Sequence, residues 1–394
     1  MPKQKILFSS ESVSEGHPDK VADQISDAIL DACLALDPEA RVACETFVTK
    51  NFVLISGEIT MRGSVDYTSI ARQTIARIGY TDPRLDFASD TVEIDVRIHE
   101  QSPDIAQGVN RGKLLEQGAG DQGIMFGYAS NESEGYMPLA IGVAHKLVRV
   151  ASNLRREGHF PGARPDMKSQ VTIDYSDADN IRIDKVLMSV QHDPDVDMQT
   201  FRDFIYQQIM LPVVASFQLN NDFTYLINPT GRFVTGGPAG DTGLTGRKII
   251  VDTYGGTARH GGGCFSGKDA SKVDRSAAYM ARYIAKNLVA AGVADRLEVQ
   301  LAYAIGVAEP QSISLATFGT AHYSDEIILS VINDVFDCRP GAIIAQFNLK
   351  QPTFKYQSLA AYGHFGRPDL DLPFEKLDQV AAIKKALKKY KNLK

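Results

Sequence analysis

Apolar positions recur along this chain at two periods, and the alternation between them predicts an α/β or α+β protein. From Pro18 to Leu36, Val21, Ile25, Ile29, Cys33 and Leu36 fall at helical spacing. Pro18 suits the first turn, where its missing N–H would go unpaired anyway. Two β-rich runs follow, ACETFVT (43–49) and FVLISGEIT (52–60), with Lys50-Asn51 as the turn. This hairpin would set Glu45 nearly opposite Glu58, to within a residue or two of register. Farther on, GRKIIVDTY (246–254) reads as a buried strand and SKVDRSAAYMARYIAKNLVAAG (271–292) as a helix closed by Gly292. Near the end, Ile383, Leu387 and Tyr390 share one helical face. KKALKKYKNLK is therefore expected to be a solvated helix docked on the body, not a basic binding tail.

Length changes this picture first. At 394 residues the chain exceeds what one apolar core usually serves, so two or three domains are expected. After Glu100 the pattern lapses into QSPDIAQGVNRGKLLEQGAGDQG (101–123), too polar to pack alone and suited to a functional lid. The N-terminus has no apolar core with a small-residue cleavage site, and no apolar run is long enough to span a bilayer. A cytoplasmic protein with no membrane partner is expected. Cys33, Cys44, Cys264 and Cys338 are too scattered for a zinc site or a disulfide framework. A net charge of −6 argues against a nucleic-acid partner.

Against that acidic background, Arg247 to Lys286 carries Arg247, Lys248, Arg259, Lys268, Lys272, Arg275, Arg282 and Lys286 against only Asp252, Asp269 and Asp274. The local reversal suggests a polyanionic small molecule. Within it GGGCFSGKD (261–269) precedes a helix. Glycines let a backbone approach an anion, and a helix N-terminus turns N–H groups toward it. Lys268 and Lys272 would share a face if the helix had begun. Residues 262–268 satisfy G-x-x-x-x-G-K, but Asp269 stands where a P-loop needs Ser or Thr for Mg²⁺. A glycine-rich turn beside a solvated helix start is the bland alternative, and a true P-loop is disfavoured.

Three other segments carry candidate chemistry. In EGHPDK (15–20), His17 and Asp19 flank a proline at a helix start; each could be only a cap. Alternatively, His17 donates to a leaving oxygen while Asp19 and Asp274 each serve one Mg²⁺, an ion content with few protein carboxylates. GAGDQG (118–123) presents Asp121 on bare backbone, either as a tight turn or because a ligand lies against the main chain. In PDMK (165–168), Lys168 precedes the strand-like SQVTIDY, where a lysine is ordinarily surface solvation.

Together these segments resemble the methionine adenosyltransferases of bacterial and eukaryotic type. The resemblance runs from SSESVSEGHPDK at Ser9 to AAYGHFGR at Arg367; GAGDQG and GGGxFSGKD are its specific signatures, supported by INPTGRF and GLTGRKIIVDTYGG. It implies an α+β fold of three similar domains with the chain interwoven between them. The sequence domains would be 4–103, 116–233 and 235–372, with 102–115 an active-site loop. It implies a homotetramer, a dimer of dimers with sites shared between subunits, which joins ATP to L-methionine. Displaced triphosphate would be hydrolysed to pyrophosphate and phosphate.

Carried over by position, His17 would assist departure of the triphosphate at O5′. Lys168, Arg247, Lys248 and Lys268 would hold the phosphates, with Asp166 and Cys264 also at ATP. Arg232 and Phe233 would contact the adenosine. Glu58, Gln101, Asp241 and Lys272 would line the methionine site, Asp241 serving ATP as well, and Asp121 would lie near the ribose or sulfur. Asp19 and Asp274 would bind Mg²⁺, two ions per site, and Glu45 would help bind one K⁺ per subunit. Cys264 stands where many relatives are expected to carry Ala; a thiol there would make activity sensitive to oxidation or alkylation. Two rivals stay in view: a phosphotransferase that releases ADP, and a nucleotide-binding or RNA-binding module without turnover.

Overall fold

The computed structural model describes residues 4–101 and 114–391. The expected lid, 102–115, lies almost wholly outside the described residues. Three sheets form from strands far apart in the chain. The first has β1 (Leu7–Val13), β6 (Ala163–Asp174), β7 (Arg182–His192) and β8 (Thr224–Ile227) in that order. In the second, β2 (Arg41–Thr49) and β3 (Phe52–Thr60) lie between β4 (Glu93–His99) and the short β9 (Gly243–Leu244). The third sets β10 (Arg296–Tyr303) between β5 (Gly123–Ser130) and β11 (Ser312–Ala316). Neighbours are antiparallel except β3–β4 and β7–β8, which are parallel. Each sheet thus borrows a strand from a distant part of the chain, the interwoven α+β arrangement expected.

Two helices are sunk in the protein. α1 (Pro18–Leu36) packs on β2 and is buried all round from Pro18 to Leu30, charged residues included. α2 (Tyr67–Ile78) packs beside it, and α3 (Leu139–Arg156) covers β1 and β6. Beyond β7, α4 (Met198–Phe204) continues through a π-helical turn into α5 (Leu211–Ala215). After the short α6 (Ile249–Asp252), the buried α7 (Val273–Ala290) lies on β5 and β10. α8 (Asp325–Val335), α9 (Pro340–Gln346) and α10 (Val380–Lys391) complete the order. One apolar cluster joins α1, the second and third sheets and α7; another joins α3, β6 and β7. Among the described residues no helix is long and apolar enough to cross a membrane.

Several expectations hold. α1 begins at Pro18, and α7 ends against Gly292, whose φ of 78° is left-handed. On α10, Ile383 and Leu387 are buried and Tyr390 packs partly against the core. The hairpin pairs Ala43 with Glu58 and Glu45 with Ser56, which puts Glu45 and Glu58 within the two residues of register expected. Others need correction. The run 246–254 is not a strand. Pairing with β2 ends at Leu244, Gly246 turns at φ 79°, and Ile249–Asp252 coils into one helical turn. Tertiary anchoring overrides its β propensity. Lys168 lies inside β6, not ahead of it. Lys268 and Lys272 do not share a helix face, because α7 starts only at Val273.

Candidate functional site

His17 caps α1. Its Nδ1 accepts the Asp19 N–H at 3.2 Å, which leaves Nε2 to carry the proton of the neutral ring. Burial, then the cation Lys248, brings its pKa down to about 3, with Lys168 and Lys20 adding to the effect. A neutral N–H donor therefore stands among cations. Gly16, just before it, is pressed against Pro165: an added Cβ would lie 2.4 Å from that residue's backbone carbon. Ser14 Oγ donates to Pro165 O at 2.7 Å and accepts the Met167 N–H at 2.8 Å. The EGHPDK turn is laced in this way to the strand bearing Asp166 and Lys168.

Asp166 is buried; its Oδ2 accepts the Gly237 N–H at 2.8 Å, while Oδ1 has no hydrogen-bond partner among the described residues. Burial pushes this carboxyl up to about 6. Lys168 is exposed, yet its charge reaches both His17 and Asp166, and that of Asp241 reaches Asp166. Asp19 accepts the Leu244 N–H at 3.0 Å and Lys248 Nζ at 2.6 Å. Burial opposes its ionisation, but the lysine and the amide outweigh it and lower the pKa.

Asp19 is the first rung of a ladder that the sequence reading missed. Asp23, Asp27 and Asp31 follow at four-residue spacing on the same helix face. Asp23 takes Lys20 Nζ at 2.9 Å and the Gly246 N–H at 2.8 Å. Asp27 takes the Gly267 N–H at 2.8 Å and both terminal nitrogens of Arg275, at 2.7 and 2.9 Å. Asp31 takes the Tyr356 and Gln357 N–H groups at 2.9 and 3.0 Å. The ladder thereby registers the loop holding Arg247 and Lys248 against the loop holding Cys264 and Lys268. The signal was present as Asp at every fourth position, but such a stripe ordinarily reads as a solvated face.

The 261–269 loop runs along the edge of β2. Cys44 N–H donates to Gly267 O at 2.9 Å, and Val42 N–H to Asp269 Oδ2 at 2.8 Å. Gly267 has φ 79°, and a Cβ there would lie 1.9 Å from Cys44 O. Lys268 Nζ meets Asp274 at 2.6 Å, and Lys272 Nζ meets Asp269 at 2.5 Å. Cys264 is partly buried against Gly246, which joins the two loops; burial raises its thiol pKa. All four cysteines are free thiols. In GAGDQG the glycines yield to the protein's own backbone: a Cβ on Gly118 would strike Gly306, and one on Gly120 would lie 2.5 Å from Ser271 O. Close approach is the reason for them, but in these two cases to main chain, not to a ligand. Of the eight clustered cations, Arg275, Arg282 and Lys286 are internal, paired with Asp27 and Glu375.

Two groups result. His17, Asp19 and Lys248 lie together, with Asp166, Lys168 and Asp241 in electrostatic reach. Cys264, Lys268 and Asp274 form the second, with the exposed Glu45 in reach. One row across the second sheet, His99–Glu58–Ala43–Lys268, sets Glu58 two strands from Lys268, about 10 Å away. Glu58 itself pairs with His99 at 3.1 Å, and Gln101 N–H donates to Thr60 Oγ1 at 3.1 Å. Exposed Arg232 donates to Pro194 O at 3.2 Å, and Phe233 N–H to His192 Nε2 at 3.0 Å. Asp121 and Asp241 are exposed, each accepting its successor's N–H, and Arg247 is exposed. A cavity of about 780 Å³ lined by Glu132, Arg149, Lys286 and Arg367 contains none of the expected site residues.

Asp19 and Asp274 each offer one carboxylate beside a lysine, a donor set that suits Mg²⁺ when substrate phosphates complete its shell. Gly263 leaves room for the Asp274 carboxylate, since a Cβ there would lie 2.1 Å from Asp274 Oδ1. Among the described residues, no three His, Cys, Asp or Glu side chains are grouped to hold a metal unaided.

Residues 5–103, 116–233 and 235–376 match the N-terminal, central and C-terminal domains of S-adenosylmethionine synthetase. The chain is 59% identical over 379 residues to the S-adenosylmethionine synthase of Mesoplasma florum, covering 96% of this chain and 99% of that one. It is 57% identical over 387 residues to the Clostridium tetani synthase, covering 96% and 98%. With the Roseiflexus castenholzii synthase it shares 53% identity over 399 residues, covering 98% of each.

Proposed function

The chain belongs to the S-adenosylmethionine synthase family and is a methionine adenosyltransferase, and we propose that the two groups above form the two sides of its ATP site. The sulfur lone pair of methionine attacks C5′ of ATP, the C5′–O5′ bond breaks, and triphosphate leaves. Positive charge grows on sulfur and negative charge on O5′. A thioether needs no deprotonation, so alignment and cations suffice. His17 Nε2–H donates to O5′ as it gains charge. Lys168, Arg247, Lys248 and Lys268 hold the triphosphate, and Asp166 and Cys264 line its ATP. Arg232 and Phe233 hold adenosine, with Asp121 near the ribose or sulfur. Glu58, Gln101, Asp241 and Lys272 hold methionine.

Asp19 and Asp274 would hold two Mg²⁺ ions, which neutralise phosphate charge when bound. Lys248 and Lys268 now occupy those carboxylates, so substrate binding exchanges lysine–carboxylate pairs for lysine–phosphate contacts. K⁺ near Glu45 and a homotetramer with shared sites belong to the same reading. Exposed Glu45, Asp121, Arg232, Asp241 and Arg247 favour the shared site, because a second subunit can cover them. Sequence domains at 4–103, 116–233 and 235–372, a closing loop at 102–115 and a cytoplasmic location complete it.

The observation that carries the assignment is the neutral His17, its Nδ1 occupied by Asp19 N–H, within electrostatic reach of Lys248 and Lys168. Purified protein with ATP, methionine, Mg²⁺ and K⁺ should yield S-adenosylmethionine with matching pyrophosphate and phosphate, by mass spectrometry and phosphorus NMR. Free triphosphate in place of those two would remove the hydrolytic step. ADP would replace the whole scheme with phosphoryl transfer.

A further inference from the structure

The peptide carrying His17 is fixed from outside its own turn. Gly79 ends α2 in a left-handed conformation, φ 108°, and the chain reverses so that Tyr80 points inward. The ring packs edge-on to Phe87 with centroids 5.5 Å apart. Its hydroxyl donates to Gly16 O at 2.6 Å, the carbonyl of the peptide bond whose nitrogen belongs to His17. The same oxygen occupies the space of an absent side chain: a Cβ on Gly237, at φ 60°, would lie 2.1 Å from it. Gly237 N–H is the donor to buried Asp166. One phenol thus touches both the peptide that aims His17 and the glycine that holds Asp166.

We propose that Tyr80 is a positioning residue for the leaving-group step, setting the Gly16–His17 peptide so that His17 Nε2–H points at O5′. The proposal rests on the role assigned to His17 above. Gly16 is buried, so without the hydroxyl its carbonyl would lose that hydrogen bond, and the Gly16–His17 peptide would be held through its N–H, which donates to Ser14 O at 3.2 Å. Burial also holds the phenol's pKa well above its ordinary value, so the hydroxyl remains a donor across the working range. The ring supplies packing and the hydroxyl supplies aim, and Tyr80→Phe separates them.

The test is a double-mutant cycle on S-adenosylmethionine formation with Tyr80→Phe, His17→Asn and the pair. Phenylalanine retains the contact with Phe87, so a melting curve close to wild type is expected. Tyr80→Phe should lower kcat about 10-fold while KM for ATP and methionine stays within about 2-fold, the pattern of an interaction made in the transition state. In the His17→Asn enzyme the same change should cost less than about 2-fold, because the shorter carboxamide does not reach the position of Nε2 and no donor is left there to aim. An undiminished loss in that background would make Tyr80 an independent structural residue and overturn the proposal, as would Tyr80→Phe with wild-type kcat. His17→Asn with wild-type kcat would instead remove the parent role of His17, a failure visible in that single variant.

Discussion

Asp27 and Asp121 are both carboxylates beside loops of the proposed ATP site, and they live in opposite surroundings. Asp27 is fully buried and accepts three hydrogen bonds, from Gly267 N–H and both terminal nitrogens of Arg275. Asp121 is exposed and accepts one, from its own neighbour Gln122. The contrast extends to whole sides of the site. On the α1 side, Asp19, Asp23 and Asp27 each pair with a cation and a backbone amide of β9 or the loops beside it, so those backbones are set before substrate arrives. On the open side, Lys168 on β6 and Arg232, Asp241 and Arg247 on loops are exposed. Preorganised donors cost no rearrangement during the reaction, whereas exposed ones keep their charge available for a ligand.

The comparison breaks first at Asp27. Asp27→Ala leaves Arg275 buried without its carboxylate and frees the Gly267 amide, a change expected to cost about 3–5 kcal/mol. Urea melts should show it, whereas Asp121→Ala should melt like wild type. Equal melting of the two variants would show that burial has not divided the site. On the open side, Lys168→Ala should leave melting unchanged and lower kcat about 10²–10³-fold, the size expected for losing one donor at a developing negative charge. A Lys168→Ala enzyme that loses stability in step with activity would place this lysine among the internal charges instead.

How much of this was legible depends on whether a feature is local. The start of α1 at Pro18, the 41–60 hairpin and the Gly292 stop are written in neighbouring residues. The pairing of Leu7 with Asp174 is not, because nothing near either residue encodes a partner so far along the chain. Arg275, Arg282 and Lys286 show the same limit in charge. Their density suggested an anion site, yet their partners Asp27 and Glu375 lie far away in sequence. Glycine motifs mark close approach without saying what approaches: Gly118 meets Gly306, but Gly263 meets the carboxylate of Asp274. Motif resemblance named candidates that local periodicity could not, and the acidic ladder escaped both.

The last rung of that ladder tests the comparison most finely. Among the described residues, Asp31 meets two backbone N–H groups but no cation at ion-pair distance, unlike the three rungs before it. Burial dominates there and pushes its carboxyl up to about 6, with Asp27 adding to the rise while the two amides and Lys355 oppose it. An unfolded aspartate titrates near 3.9, so the fold favours the protonated form. Its contribution to stability is therefore complete below about pH 4 and is lost as pH rises through about 6. By pH 7 the loss amounts to about 3 kcal/mol, taken as an upper bound. Asp31→Asn cannot titrate. The amide it no longer accepts costs the same at every pH, so that cost cancels from the slope. Stability of Asp31→Asn relative to wild type should accordingly improve between pH 4 and pH 7, read from denaturant melts at each pH. Parallel curves for the two proteins would mean that Asp31 ionises as freely as an exposed carboxylate, and that the buried side of the site ends at Asp27.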